Sequence, residues 1–186
     1  MEPSHELTRD LENDLEKAGV PPKLPPEVST AELFTQCLSR LSVSFQSFQQ
    51  DPTRPQAARL QQISPAAMAY LGDAVYELYI RTYYLTPPKR IQDYHEEVVA
   101  QVRAERQADH LRSLHPHLTP PELDILKRGR NAAPKGPKRL NPKIYQQATS
   151  LETLLGYLYI TDTPRLVHLL SQLDFETEVP SSDEIF

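Results

Sequence analysis

The sequence predicts an all-α fold, and three observations carry that prediction. Apolar residues recur at i, i+3, i+4 spacing along most of the chain, the signature of helices with one buried face. No alternating apolar and polar run of useful length marks a strand, and no segment repeats. Proline is abundant and glycine scarce, 18 against 5 in 186 residues, where average usage is about 5% and 7%. The prolines fall between the periodic segments or at their first residues, so they punctuate helices.

Taken in order, residues 5–18 read as a polar helix with few apolar residues to define a face, followed by the stiff, extended PPKLPPE at 21–27. Residues 1–28 are therefore expected to form a peripheral acidic and proline-rich tail, and 29–60 a helical extension. In that extension a helix begins at Thr30, with Leu33, Phe34, Cys37, Leu38 and Leu41 on one face. Ser64-Pro65 is a good N-cap and first-turn pair for the next helix. Its apolar face is expected to run through Met68, Leu71, Val75, Leu78 and Thr82, until Pro87-Pro88 ends it. A helix over roughly 91–114 follows, with Tyr94, Val98 and Val102 inward and the charges of 105–109 outward.

Thr119-Pro-Pro-Glu122 is a capping box before the segment ELDILKRGRN. A loop over 132–142 carries three prolines and Gly136. Asn141-Pro142 opens a helix to about Ile160, and Thr163-Pro164 opens the last, to about Leu173. The folded unit is expected over 61–175, with an acidic tail at 176–186.

Composition narrows the class. One cysteine, Cys37, excludes an internal disulfide framework and suits a reducing compartment; on a helix it reads as a small apolar residue. No apolar run reaches the roughly 18 residues of a membrane span. The acidic N-terminus resembles neither a signal peptide nor a transit peptide, so a cytoplasmic protein without membrane partners is expected. The net charge of −5 hides an asymmetry: residues 127–143 hold seven of the 20 Lys and Arg and none of the 25 Asp and Glu. One cationic stretch on an otherwise anionic chain points to a local polyanion contact.

Two carboxylates stand in apolar helices. Asp73 lies two positions, about 200° of helix, from both Leu71 and Val75, and so is expected to face away from their core. Gly72 beside it is a poor helix residue, useful where another helix or a ligand must come close. Glu152 sits in the middle of SLETLLGY, with Gly156 one turn later. If the two helices pack together, the carboxylates share a cleft, and a hard divalent cation takes such oxygen ligands. Taken alone, an Asp in a helix is usually a solvated surface residue, and the pair is only a candidate.

Tyr70-Leu71-Gly72-Asp73-Ala74-Val75 resembles the signature helix of the ribonuclease III family, and Ser150 to Gly156 resembles that family's second acidic motif. Leu126-Lys127-Arg128-Gly129-Arg130-Asn131-Ala132 and Leu154-Leu155-Gly156-Tyr157-Leu158 are similar to segments of its Mini-III branch, which lacks a separate double-stranded-RNA-binding domain. The resemblance covers about 60–175. It implies a homodimer of helical catalytic domains forming one RNA-binding valley. It also implies that Asp73 and Glu152 hold Mg2+ for hydrolysis of double-stranded RNA to 5′-phosphate and 3′-hydroxyl ends, with precursors of large-subunit ribosomal RNA as substrate. Full-length members have further acids where Ala66, Ala69 and Thr149 stand, so these two carboxylates are expected to carry the site with little help.

The resemblance gives the basic stretch a task. Lys127, Arg128, Arg130, Asn131, Lys135, Lys138, Arg139 and Lys143 are expected to meet phosphates of an A-form duplex, which is recognised by shape rather than by base code. Glu77, one turn after Asp73, reads as a salt-bridge partner or an outer contact of the metal. His115-Pro116-His117 lacks the companions of a zinc site; His95 and His110 read as packing or capping residues. Tyr76, Tyr79, Tyr83 and Tyr84 read as core or dimer contacts rather than base-stacking platforms. Two other classes stay open: a catalytically silent RNA-binding or ribosome-associated module of the same fold, and a helical adaptor docking through the acidic N-terminal tail.

Overall fold

Ser64 and Asn141 each precede a proline, and each opens a 20-residue helix. Ser64 Oγ accepts the Ala67 N–H at 3.1 Å, and Asn141 Oδ1 accepts the Lys143 N–H at 2.9 Å. Each cap satisfies a backbone donor that the first turn leaves without a partner. The computed structural model describes residues 29–41, 60–134, 136, 139 and 141–175. Its helices are α1 (Thr30–Leu41), α2 (Pro65–Tyr84), α3 (Ile91–Gln101), α4 (Ala104–Leu114), α5 (Pro120–Ala132), α6 (Pro142–Thr161) and α7 (Thr163–Leu170), with a 3-10 turn over His115–His117. There is no strand among the described residues. The expectations for residues 1–28 and 176–186, for 42–59 of the extension, and for Lys135 and Lys138 fall outside them.

α6 is the central helix. Ten of its residues, from Ala148 to Ile160, are buried, because α2, α4, α5 and α7 all pack against it. α2 crosses α6 at two glycines. A Cβ on Gly72 would lie 1.8 Å from the Glu152 carbonyl oxygen, and one on Gly156 would lie 1.9 Å from that of Met68. Only glycine lets the two backbones approach this closely. Gly129 does the same for α5, where a Cβ would stand 2.4 Å from Thr153 Oγ1.

The remaining helices close the core around this crossing. Phe34 and Leu38 of α1 are buried, and the Phe34 ring meets Tyr79 edge-on at 5.0 Å. α7 has only eight residues, too short to hold its own helix in water. Leu166, Leu169 and Leu170 are fully buried and hold it in place, each contributing about 1.5–3 kcal/mol. Arg165 then ties α7 to α5: its Nε donates to Glu122 Oε1 at 2.8 Å and its Nη2 donates to the His117 carbonyl at 2.7 Å. Glu122 also accepts the Thr119 N–H at 2.7 Å, so the expected capping box is formed and doubles as an anchor.

Three sequence expectations need correction. The inward face of α2 is Met68, Ala69, Gly72, Val75, Tyr76, Tyr79 and Ile80, while Leu78 is 38% exposed. The tyrosines claim that face because their rings fill the core; the buried Tyr76 hydroxyl also finds partners, donating to the Gln101 carbonyl at 3.0 Å and lying 2.8 Å from His110 Nδ1. The expected helix over 91–114 is two helices, broken at Val102 and Arg103, where Arg103 turns extended with ψ 150. Tyr76 takes up the Gln101 carbonyl at that break; over 105–109 Glu105 is exposed and Asp109 partly so, as expected, with Gln107 and Ala108 buried between them. The last helix is capped by Asp162, whose carboxylate accepts the Arg165 N–H at 2.9 Å, and it ends at Leu170. His95 is exposed, whereas His110 packs as expected.

Candidate active site

The register of α2 sets Asp73 directly after Gly72, and that of α6 sets Glu152 one turn before Gly156. The glycine crossing therefore draws both carboxylates to the same place. Because the inward face of α2 includes Gly72 and Tyr76, Asp73 borders the core rather than opposing it. Its residue surface is exposed, while that of Glu152 is partly covered.

Electrostatics report their closeness. Burial, then the negative charge of Glu77, pushes the Asp73 carboxyl above its ordinary value. Burial, then the charge of Asp73, pushes Glu152 up to about 7. Hydrogen bonding from the side chain of Gln107 works the other way on both acids. Both carboxyls resist ionisation chiefly because they are partly buried, and Glu152 further because Asp73 is close, so a nearby positive charge would favour their ionised forms. Glu77 itself pairs with Arg81 one turn along α2, so the salt-bridge reading of Glu77 is the one the structure shows.

Of the three positions where further acids are absent, Ala69 and Thr149 are buried and Ala66 is exposed. Among the described residues no group of three or more His, Cys, Asp or Glu comes together. The oxygen donors present are the carboxylates of Asp73 and Glu152, with the buried amide of Gln107 beside them. That set fits a hard cation that keeps much of its own water.

The cationic residues line the neighbouring ground. Lys127, Arg128, Arg130 and Asn131 occupy the last turns of α5, Arg139 the following loop and Lys143 the first turn of α6, and all six are exposed. Lys127 donates to Asp124 at 2.9 Å. Gly129, between Arg128 and Arg130, lies on Thr153 and Ser150, so the α5 cations stand beside the turn that carries Glu152. The loop leans on α6 through Gly136, where a Cβ would come 2.7 Å from the Tyr145 ring.

Sequence reasoning missed Gln107, and a signal for it existed. Gln107, Ala108, Leu111 and Leu114 share one face of α4, so a polar residue stands in an apolar row. It also missed the Arg165–Glu122 clasp, for which no spacing pattern exists. His115 and His117 lie in the 3-10 turn, Tyr76 and Tyr79 are in the core as expected, and Tyr83 lies 4.5 Å from the Phe175 ring.

Comparison with known proteins adds the chemistry. The profile of the Ribonuclease III domain matches residues 66–163, a span that begins just before Asp73 and ends after Glu152. The chain is 55% identical over 124 residues to the Mini-ribonuclease 3 of Synechocystis sp., covering 67% of this chain and 87% of that relative. It is 56% identical over 119 residues to the Mini-ribonuclease 3 of a Synechococcus species, covering 64% and 85%. A crystal structure of a protein from Fusobacterium nucleatum, 29% identical, superposes with a TM-score of 0.55 over 58% of this chain and 90% of that one. With a helical domain of that type built around the matched segment, the chain belongs to the ribonuclease III family, in its Mini-ribonuclease 3 group, and is an endoribonuclease.

Proposed function

We propose that this endoribonuclease cuts double-stranded RNA with Mg2+ held by Asp73 and Glu152, and that it acts in the cytoplasm on precursors of large-subunit ribosomal RNA. The observation that carries the reading is the pair of carboxylates set at the glycine crossing of α2 and α6, each pushed toward its neutral form. A divalent ion bound there supplies Lewis-acid stabilisation of charge on the scissile phosphate and a more acidic water. The chain's own groups do the rest. Asp73 and Glu152 present the ligand oxygens from two helices whose crossing is fixed by backbone contact at Gly72 and Gly156. Without metal, burial and then the charge of Asp73 push Glu152 up to about 7, so a bound cation is what favours the fully anionic pair at neutral pH. In the hydrolysis, water oxygen bonds to phosphorus and the bond to the 3′ oxygen breaks. The 3′ oxygen takes a proton, leaving a 3′-hydroxyl and a 5′-phosphate.

Lys127, Arg128, Arg130, Asn131, Lys135, Lys138, Arg139 and Lys143 contact the duplex backbone in this reading, anchoring the RNA without a separate binding domain. Residues 61–175 form the catalytic unit, 29–60 its extension, and 1–28 and 176–186 its tails. Two copies associate to form one valley. Supporting this, Tyr70, Ala74 and Leu78 make an exposed stripe at i, i+4, i+8 on α2, with Tyr70 85% exposed, and Ile91 is 79% exposed. Apolar surface of this kind on a soluble domain belongs to an interface.

Cleavage of a short RNA duplex with and without Mg2+ tests the reading. Asp73→Asn and Glu152→Gln should each lose at least about 10²–10³-fold in rate while still binding the duplex. A wild type that binds and never cuts would favour the silent-module alternative. Normal cutting by both variants would remove these carboxylates from the mechanism.

A further inference from the structure

Gln107 is 3% exposed and lies on the inward face of α4 among Ala108, Leu111 and Leu114. A leucine would suit that row, so packing gives no reason for an amide. Among the described residues its Oε1 is the one buried side-chain oxygen or nitrogen with no hydrogen-bond partner. Its Nε2 makes a long 3.5 Å bond to the Val102 carbonyl, at the break between α3 and α4. The preceding residue is tied down on two sides: Arg106 Nε donates to Gln101 Oε1 at 2.8 Å and Arg106 Nη2 to the Asp174 carbonyl at 3.2 Å. The Gln107 amide acts on the Asp73 and Glu152 carboxyls as a hydrogen-bond donor, which sets it beside the two acids with its Oε1 left without a partner.

An orphaned buried acceptor is costly and calls for an explanation. Ionised Asp73 and Glu152 cannot relieve it, since a carboxylate has no proton to give. An acceptor in that place needs a donor once both acids are ionised, and the waters of a hydrated divalent cation bring several into the cleft. With alanine or threonine at 66, 69 and 149, few other side chains are available to hold such waters.

We propose that Gln107 is a positioning residue for the divalent cation: its Oε1 accepts a proton from a water of the hydrated ion and so holds that ion against Asp73 and Glu152. The inference rests on the reading of Asp73 and Glu152 as the residues that hold the metal, and the test separates the two.

Binding of Mn2+ to the RNA-free full chain at pH 8, followed by electron paramagnetic resonance of the free ion, is compared for wild type, Gln107→Leu, Gln107→Glu, Asp73→Asn and Glu152→Gln. Thermal unfolding without metal is measured alongside. Gln107→Leu should bind Mn2+ about 10- to 100-fold more weakly, with a metal-free melting temperature equal to or above wild type because the orphaned oxygen is gone. Gln107→Glu keeps an acceptor oxygen and adds charge, and should bind at least as tightly as wild type. Wild-type affinity in Gln107→Leu, with Asp73→Asn and Glu152→Gln impaired, overturns the Gln107 proposal alone. A drop in metal-free melting temperature that accompanies the weaker binding of Gln107→Leu also overturns it, by assigning the amide a structural role. Should Gln107→Leu fail to fold, weakened binding in a folded Gln107→Glu overturns it. Wild-type affinity in both acid variants overturns the metal reading itself.

Discussion

Gly72, Tyr76, Leu151, Thr153 and Gly156, which surround the two carboxylates on α2 and α6, are buried, while Lys127, Arg128, Arg130, Asn131, Arg139 and Lys143 all face solvent. The first region is set by backbone contact: helix meets helix where no side chain fits, and the acids follow from the crossing. The second works through exposed charge, and its cations need only be near a phosphate. A region built on contact has no tolerance for an added methyl group. A region built on charge loses function in increments, and only as fast as salt or substitution removes its cations.

One methyl group tests that contrast most severely. Gly72→Ala puts a Cβ against the Glu152 backbone, which cannot swing aside, and should cost about 3 kcal/mol. Denaturant unfolding would read that loss, and cleavage should fall with it as the acids separate. Gly136→Ala, in the basic stretch, meets side-chain atoms of Tyr145 rather than helix backbone, and a smaller loss of about 1–2 kcal/mol is expected. Equal costs at the two positions would erase the distinction.

The charged region is probed by salt. Changing Lys135, Lys138 and Arg139 together to Ala should lower the slope of log affinity for duplex RNA against log salt by roughly 2 to 3. Cleavage at saturating RNA should stay near wild type. An unchanged slope would remove the loop from the interface.

A smaller effect belongs to the carboxylates without metal. The folded chain holds the Glu152 proton up to about pH 7, whereas the unfolded chain releases it near the ordinary value of 4.5. Stability contributed by the neutral form is therefore present below about 4.5 and lost as pH rises through 7. Glu152→Gln cannot ionise, so at pH 8 without metal it should be more stable than wild type by about 1–2 kcal/mol, with little difference at pH 4. Added Mg2+ should stabilise wild type and leave Glu152→Gln unmoved.

Helix starts were legible in the sequence because caps are local: Ser64-Pro65, Thr119 with Glu122, and Asn141-Pro142 each announce themselves within four residues. The break at Val102 and Arg103 was not. No glycine or proline marks it, and it is held by a hydroxyl from Tyr76, 25 residues away. The inward face of α2 was misjudged because tyrosine suits core and surface alike, and only tertiary contact shows that Tyr76 and Tyr79 displace Leu78. At the site, Asp73 and Glu152 stood out through their neighbours Gly72 and Gly156, yet their meeting required the fold. Gln107 escaped notice because an amide in an apolar row acquires meaning only when its partners, and its lack of one, are seen.

The central claim is that a divalent ion sits between Asp73 and Glu152. Crystals grown with Mn2+ and measured at its absorption edge would test it directly. The account predicts an anomalous peak in contact with carboxylate oxygens of both residues, absent from Asp73→Asn crystals. No peak there, or one held by other side chains, would contradict it.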